Sequence, residues 1–259
     1  MPEIKVITSK DNPLIKLVCS LQNKTSARKK EGLFVLEGLR ICDDACENSI
    51  WFDKLIISKT AKEKYREELE KFYKNTDEIF EIPDSLFLKI SDTSSPQGVI
   101  AVVKIPSLSP EILKNGRYIA LENLNDPSNL GAISRTAEAL GVSGIILSSD
   151  SVDPYASKSL RASMGTLLRM PVIILNDFVN DINVSGLTTY ACVVDSGATP
   201  ITDVNFADGS ILLIGNEANG LTNDAKNMAD KQITIPMRGK AESFNAATAA
   251  AISMWEMMK

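Results

Sequence analysis

A regular alternation of apolar runs and helix-like stretches in the second half of the chain limits its possible folds more than any other property. Short apolar runs with the length of buried strands occur at residues 118–121, 144–147, 189–194, 210–214 and 232–235. Helix-like stretches separate most of these runs, at residues 129–140, 156–167, 223–229 and 245–258. Because continuous apolar strands that are joined through helices are covered on both faces, the pattern predicts an α/β domain with a parallel sheet.

The first hundred residues have a different pattern, which predicts a smaller mixed α/β domain. Apolar runs at residues 33–36, 54–58 and 98–103 are typical of short buried strands, and residues 61–73 form an amphipathic pattern that predicts one helix. Two prolines and two serines within residues 105–110 then mark a linker. We therefore expect an N-terminal domain over residues 1–105, a linker over 106–114 and a C-terminal domain over 115–259.

The composition excludes several classes of enzyme. The chain contains no histidine, which excludes Ser-His-Asp and Cys-His nucleophilic machinery and removes the commonest metal ligand. Four scattered cysteines indicate small buried residues rather than a disulfide scaffold or a zinc site, so no metal is expected. An apolar run long enough to span a membrane is absent from the sequence, as is a signal-peptide pattern, and the expected location is the cytoplasm.

Positive charge is concentrated at the N-terminus, although the net charge of the whole chain is −5. Residues 1–40 carry eight Lys or Arg against four Asp or Glu, and the basic residues are densest at Lys24, Arg28, Lys29 and Lys30. Phosphate contacts dominate the affinity of nucleic-acid binding proteins. The cluster is thus a candidate surface for RNA, and the alternative interpretation is a solvated loop.

A polar segment follows the first apolar run of the C-terminal domain. The run ends at Leu121, an Asp-Pro turn follows, and a helix is expected to begin near Asn129 and to carry Arg135. Open α/β sheets bind ligands at the carboxyl ends of their strands, so these side chains are candidates for a site. Asn129 as a helix cap and Arg135 as a surface cation remain the alternative interpretation.

Two further segments have the same position after an apolar run. Gly215-Asn216-Glu217-x-x-Gly220 follows one run and offers Glu217 as an acid or hydrogen-bond acceptor. Residues 235–245 follow another run, and Ser243 or Asn245 is expected to cap the last helix. Each segment taken alone also fits an ordinary turn between a strand and a helix.

The order and spacing of these motifs resemble the SpoU (TrmH-like) family of the SPOUT methyltransferases. The matching residues are Asn129, Gly131 and Arg135, then Gly215-Asn216-Glu217-x-x-Gly220, then Ile235-Pro236-Met237 with Glu242-Ser243-x-Asn245, and between them Lys158-x-x-Arg161-Ala162-Ser163-Met164-Gly165. The N-terminal part resembles the L30e-like substrate-binding domain that is often fused to this catalytic domain. Its matching residues are Ser9-x-x-Asn12-Pro13-x-x-Lys16 and Lys29-Lys30-x-Gly32-x-Phe34-x-x-Glu37-Gly38 with Arg40.

The resemblance implies a fold, a cofactor and a set of site residues. It implies a trefoil knot in the C-terminal domain and S-adenosylmethionine as the cofactor. The residues implied to bind the cofactor are Gly215, Ile235, Met237 and Phe244, where position 244 more often holds Leu in the family. The residues implied to be catalytic are Asn129, Arg135, Glu217, Ser243 and Asn245. Arg161 joins the basic cluster Lys24, Arg28, Lys29 and Lys30 as an implied RNA contact.

The implied reaction is methyl transfer to a ribose 2′-hydroxyl of structured RNA. In this family Arg135 is often assigned the activation of the hydroxyl, but a guanidinium rarely gives up its proton. Bidentate binding of a neighbouring RNA phosphate is the alternative role. The implied substrate is 23S ribosomal RNA first and transfer RNA second, and the implied assembly is a homodimer.

Three other functions fit the same motifs. A SPOUT enzyme that methylates a base atom shares the fold, although the Arg135 motif and the Glu-Ser-x-Asn loop favour ribose. A catalytically silent RNA-binding protein is expected to have lost Arg135 or the cofactor loops, and both are present. An antibiotic-resistance methyltransferase has the same domains and chemistry. A dinucleotide fingerprint after a strand is absent from the sequence, which counts against a Rossmann-type methyltransferase.

Overall fold

The computed structural model describes residues 2–106 and 111–259, which divide into two compact units. One unit contains residues 2–106 together with 155–168, and the other contains residues 111–154 together with 169–259. Residues 107–110, which belong to the predicted linker, lie outside the described residues.

The first unit contains a five-stranded sheet with helices. Its strands are β1 (Ile4–Val6), β2 (Leu33–Glu37), β3 (Phe52–Ser58), β4 (Ile79–Ile82) and β5 (Val99–Lys104). Its helices are α1 (Pro13–Asn23), α2 (Thr25–Glu31), α3 (Leu39–Glu47), α4 (Lys59–Lys64), α5 (Arg66–Lys74) and α6 (Asp84–Ile90). The strand order is β1-β4-β3-β5-β2, and β5 runs antiparallel to both of its neighbours. The mixed α/β domain that the sequence predicts is confirmed.

One helix predicted in this unit was wrong. Residues 61–73 are not one helix, because the backbone leaves the helical region at Tyr65 (φ −117°, ψ 45°), between α4 and α5. No glycine or proline stands at this break, so tertiary packing overrides the local helical preference. The strands β1 and β4 were not predicted, because each has only three or four residues.

The second half of the chain contains a seven-stranded sheet. The strands are β6 (Arg117–Leu121), β7 (Gly144–Ser148), β8 (Val172–Leu175), β9 (Thr188–Cys192), β10 (Thr199–Pro200), β11 (Ser210–Ile214) and β12 (Lys231–Thr234). The helices are α7 (Pro127–Leu140), α8 (Ser157–Ser163), α9 (Thr166–Arg169), α10 (Phe178–Asn183), α11 (Asn223–Met228) and α12 (Ala246–Met257). The order is β10-β12-β9-β11-β6-β7-β8, and every pair is parallel. The predicted parallel sheet is confirmed.

The helix predicted over residues 156–167 was also wrong. Met164 (φ 51°) and Gly165 (φ 89°) both adopt the left-handed region and end α8. A non-glycine residue rarely adopts a positive φ, so Met164 gave no local signal of this break. The helix α8 packs against β2 within the first unit.

The second unit places three loops at one edge of its sheet. The strands β6, β11 and β12 are parallel members of one sheet, so the segments that follow them emerge at its carboxyl edge. The strands β7 and β11 are buried along their whole length. Among the described residues, none of the helices is long and apolar enough to cross a membrane.

Candidate active site

A cavity of about 470 Å³ lies at the carboxyl edge of the sheet in the second unit. This volume is within the range of about 300–1,000 Å³ that is typical of small-molecule sites. All four residues implied to bind the cofactor line it: Gly215, Ile235, Met237 and Phe244. Two of the residues implied to be catalytic, Glu217 and Ser243, line it as well.

The segment from Gly215 to Thr222, here called the cofactor loop, is folded tightly on itself. Asn216 and Gly220 exchange backbone hydrogen bonds of 3.2 and 2.9 Å. A Cβ atom at Gly215 would lie 2.1 Å from the carbonyl carbon of Gly220 and from the nitrogen of Leu221. Such distances are far below van der Waals contact, so only glycine fits at position 215.

Asn129, Glu217 and Asn245 form one hydrogen-bonded group, here called the amide–carboxylate network. The Nδ2 of Asn245 donates to the Oδ1 of Asn129 at 3.0 Å, and the Nδ2 of Asn129 donates to the Oε1 of Glu217 at 2.8 Å. Residues that are up to 116 positions apart thus meet at one point.

Helix ends place the two asparagines of this network. Asp126 caps α7 by accepting from the N–H of Ser128 at 2.8 Å, and bonds from Ser128 lower the pKa of Asp126. Asn129 is therefore buried in the first turn of α7 and is not the cap. Asn245 caps α12 by accepting from the N–H of Ala247 at 2.9 Å, and α12 packs against α7.

Glu217 is held as an ionised acceptor. Desolvation raises the pKa of this carboxyl group, but hydrogen bonds from Asn129 and from backbone N–H groups outweigh it, and the pKa lies below its ordinary value of 4.5. The backbone donors include Asp126 at 3.3 Å and Asn125 at 3.4 Å. A carboxylate with a lowered pKa and occupied lone pairs is suited to orienting Asn129 and poorly suited to accepting a proton.

The other two residues implied to be catalytic stand outside this network. Arg135 is exposed and makes no hydrogen bond or ion pair with any residue that the structure describes. Ser243 is exposed at the cavity wall, and it too lacks a hydrogen-bond partner among the described residues. Both side chains are therefore available to a bound molecule.

The residues of the cavity fit S-adenosylmethionine. Ile235, Met237 and Phe244 offer apolar surface to an adenine ring, and Phe244 is 41% exposed. Gly215 lines the cavity with backbone atoms alone, because glycine has no side chain. The ionised Glu217 places negative charge in a cavity that has to accept a sulfonium cation.

The implied RNA contacts in the first unit fall into three groups. Lys24, Lys29 and Lys30 are exposed, as expected. Arg28 is 3% exposed, and its guanidinium donates to the carbonyl oxygens of Leu21 and Gln22 at the end of α1 and to Thr25 at 2.9 Å. Because its side chain is buried at the end of α1, Arg28 is not part of the proposed RNA surface. Arg161 is ion-paired with Asp92 at 2.9 Å.

Two residues in or beside the cofactor loop were given no role from the sequence. Glu122 follows β6 directly, is buried and accepts from Thr222 at the end of the loop. Asn216 donates from its Nδ2 to the backbone oxygen of Asn123 at 2.7 Å. A charged residue directly after an apolar strand was the available signal for Glu122.

The parallel sheet, the cavity at its carboxyl edge and the amide–carboxylate network define an α/β protein with a small-molecule site. The family model of the SpoU rRNA Methylase family matches residues 116–255, and that of the MRM3-like substrate binding domain matches residues 12–101.

Curated and solved proteins resemble the whole chain. An uncharacterized tRNA/rRNA methyltransferase of Synechocystis sp. is 30% identical and covers 98% of this chain and 93% of its own. The 23S rRNA (guanosine(2553)-2′-O)-methyltransferase RlmP of Bacillus subtilis is 26% identical, with 98% and 99% covered. The crystal structure of an AdoMet-bound rRNA methyltransferase from Sinorhizobium meliloti has a TM-score of 0.85 at 27% identity and covers 98% of this chain and 97% of that one.

The chain therefore belongs to the SpoU rRNA methylase family. The predictions of an RNA ribose 2′-O-methyltransferase and of S-adenosylmethionine as its cofactor are confirmed. The predicted fold class is confirmed as well.

Proposed function

We propose that this methyltransferase acts on a ribose 2′-hydroxyl of large-subunit ribosomal RNA. The observation that supports this target is the likeness to RlmP over nearly the full length of both chains. The N-terminal part matches a substrate-binding domain, which agrees with a large structured RNA as the substrate. A ribose 2′-hydroxyl is present in RNA and absent from DNA.

The amide–carboxylate network holds the donor groups of the site in fixed directions. When bound, S-adenosylmethionine supplies an electrophilic methyl group on its sulfonium. Glu217 accepts a hydrogen bond from one N–H of the Asn129 side chain, and Asn129 accepts one from the Asn245 side chain. Each amide keeps a second N–H, and these donors orient the ribose of the substrate. Positioning of this kind supplies most of the rate acceleration when a transfer needs in-line geometry.

Arg135 binds an RNA phosphate next to the target ribose. Its guanidinium is exposed and without a partner among the residues that the structure describes. A planar guanidinium forms two parallel hydrogen bonds to a phosphate, which fixes the register of the nucleotide. Ser243, at the cavity wall, contributes a hydroxyl to the same substrate.

The remaining parts of the proposal follow from the resemblance. Residues 1–105 bind RNA, residues 115–259 bind the cofactor and catalyse the transfer, and two copies form a homodimer in the cytoplasm. Sedimentation of a monomer at micromolar concentration would contradict the dimer. The trefoil knot stays a prediction.

The target is tested with labelled S-adenosylmethionine and three substrates from cells that lack the gene: 23S ribosomal RNA, intact large subunits and total transfer RNA. We expect label in 23S RNA or in the subunits and background label in transfer RNA. Label in transfer RNA alone would contradict ribosomal RNA as the target and would make transfer RNA the substrate. Label in intact subunits but not in free RNA would show that the substrate is an assembled particle.

A further inference from the structure

Glu122 is a buried carboxylate beside the cofactor loop. It is 5% exposed and follows β6 directly. Its Oε2 accepts from the backbone N–H of Thr222 at 2.8 Å, and its Oε1 accepts from the hydroxyl of Thr222 at 2.7 Å. Burial of a charge is costly unless the charge is hydrogen-bonded. Glu122 therefore favours the position of Thr222 in which both hydrogen bonds form.

Thr222 joins the cofactor loop to the next helix. It is the last residue of the loop, and its hydroxyl caps α11 by accepting from the N–H of Ala225 at 3.2 Å. The same hydroxyl thus accepts from the helix and donates to Glu122. A shift of Thr222 would therefore move the end of the loop.

The end of the loop supports the part that lines the cavity. The backbone of Gly220 and Leu221 lies directly against Gly215, where a Cβ would be 2.1 Å away. Gly215 and Leu221 both line the cavity, whereas Glu122 is not among its described lining residues. Glu122 therefore acts on the cavity through Thr222 and the loop.

The start of the loop is hydrogen-bonded to Asn123, the residue that follows Glu122 in the chain. Asn216 donates to the backbone oxygen of Asn123. Residues 122 and 123 consequently anchor both ends of the cofactor loop, and the Glu122–Thr222 pair is the anchor that depends on a charged side chain.

We propose that Glu122 is a positioning residue that keeps the cofactor loop in the shape that binds S-adenosylmethionine. This inference rests on the assignment of the cavity as the cofactor site. Removal of the pairing loosens the 220–222 end of the loop and weakens cofactor binding, while the groups that contact the ribose and the phosphate stay in place.

The first test is Glu122→Gln in the full chain. The carboxamide accepts through one atom, so one of the two bonds to Thr222 is lost. Calorimetric titration with S-adenosylmethionine should show a Kd raised by about tenfold, the scale of one lost hydrogen bond to a charged group. The KM for the cofactor should rise with it, whereas kcat at saturating cofactor and the KM for RNA should stay within about threefold of wild type.

Two variants of Thr222 test the pairing from the other side. Thr222→Ser keeps the hydroxyl and the N–H, so its Kd for the cofactor should match wild type. Thr222→Val loses the hydroxyl and should resemble Glu122→Gln. These two variants decide the question if Glu122→Gln does not fold.

The chain contains a matched control at the amino edge of the same sheet. There Asp230 accepts from the N–H and the hydroxyl of Thr189, both at 2.8 Å, and Thr189 accepts from the N–H of Asp230 at 2.9 Å. Thr189→Val removes the same kind of hydroxyl contact away from the cofactor loop as Thr222→Val removes at its end. It should lower the melting temperature and leave the Kd for the cofactor unchanged.

The outcomes distinguish a failure of the cofactor site from a failure of the positioning role. Absence of cofactor binding by the wild-type chain would overturn the cofactor site itself. Binding by the wild type with an unchanged Kd in Glu122→Gln and Thr222→Val would overturn the positioning role alone. An equal rise of the Kd in Thr189→Val would assign the effect to general destabilisation and would also overturn it.

Discussion

The side-chain amides of Asn129 and Asn245 each have one orientation, because the amide oxygen accepts hydrogen bonds and the NH₂ group donates them. The oxygen of Asn245 accepts from the first N–H groups of α12, so its NH₂ group faces Asn129. The oxygen of Asn129 is then occupied, and its NH₂ group faces Glu217. The network therefore ends on a carboxylate and depends on the ionised state of Glu217.

The first prediction concerns Glu217→Gln and pH. The pKa of Glu217 is lowered in the folded protein from 4.5, so its ionised form stabilises the fold above about pH 4.5, and this contribution is lost as the pH falls through the folded-state pKa. The variant should melt below wild type at pH 7, and the difference should shrink towards pH 3. Thermal unfolding across this range measures it, and a difference that does not depend on pH would contradict the assignment.

The second prediction concerns Arg135→Lys. Lysine keeps the charge but provides no planar pair of donors, so kcat/KM should fall at least about 100-fold, which corresponds to about 2.7 kcal/mol. Cofactor affinity should stay unchanged, because Arg135 is not among the described residues that line the cavity. Near-normal turnover would rule out bidentate binding.

The third prediction separates Arg28 from its basic neighbours. Arg28→Ala leaves carbonyl groups at the end of α1 without their donor and should lower the free energy of unfolding by about 2–3 kcal/mol. Lys24→Ala and Lys29→Ala change exposed side chains and should cost less than about 0.5 kcal/mol. Denaturant unfolding compares the three variants, and equal stability of all three would be inconsistent with the buried guanidinium.

At the scale of elements, the sequence predicted long apolar patterns and missed short or interrupted ones. The buried runs that became β6, β7 and β11 are continuous in the sequence and were predicted. β8 was missed although its four residues are all apolar, because so short a run does not distinguish a strand from a buried helix segment. Breaks at Tyr65 and Met164 were missed because neither residue type marks a helix end.

The site was predictable to the extent that it follows strand ends. The motif residues that follow β11 and β12 do line one cavity. The contacts that join distant segments, such as Asn129 with Asn245, depend on the packing of α7 against α12 and have no local signal. The burial of Arg28 has the same cause, since it depends on the corner between α1 and α2.

The fourth prediction concerns the cofactor loop as an element. Gly215→Ala would place a methyl group 2.1 Å from the backbone of Gly220, and the loop would have to open. Calorimetry should show a loss of S-adenosylmethionine binding of at least about 100-fold. Gly141→Ala is the control for glycine removal, because nothing lies near its Cβ position although its φ is positive. Unchanged cofactor affinity in Gly215→Ala would contradict the tight fold of the loop.

At the scale of the whole molecule, the charge is unevenly distributed along a chain with a net charge of −5. The basic surplus belongs to the first unit, where Lys24, Lys29 and Lys30 are exposed. The acidic surplus of the remaining chain keeps non-specific attraction to nucleic acid low. We therefore expect RNA binding to depend on a local surface and not on the net charge.

The fifth prediction tests this surface. Replacement of Lys24, Lys29 and Lys30 by Ala should weaken RNA binding and reduce the slope of log K against log salt by about 2. Replacement of Lys59, Lys64 and Lys74 removes the same charge elsewhere in the first unit and should leave the slope close to wild type. An unchanged slope in the first variant would refute the assignment.

The chemical position of the transferred methyl group shows directly whether this site methylates ribose. Large-subunit RNA is labelled with the wild-type chain and with Arg135→Ala, digested to nucleosides and separated. We expect label in a 2′-O-methylnucleoside with the wild type and none with the variant. Label on a base, or equal label with the variant, would contradict the role assigned to this site.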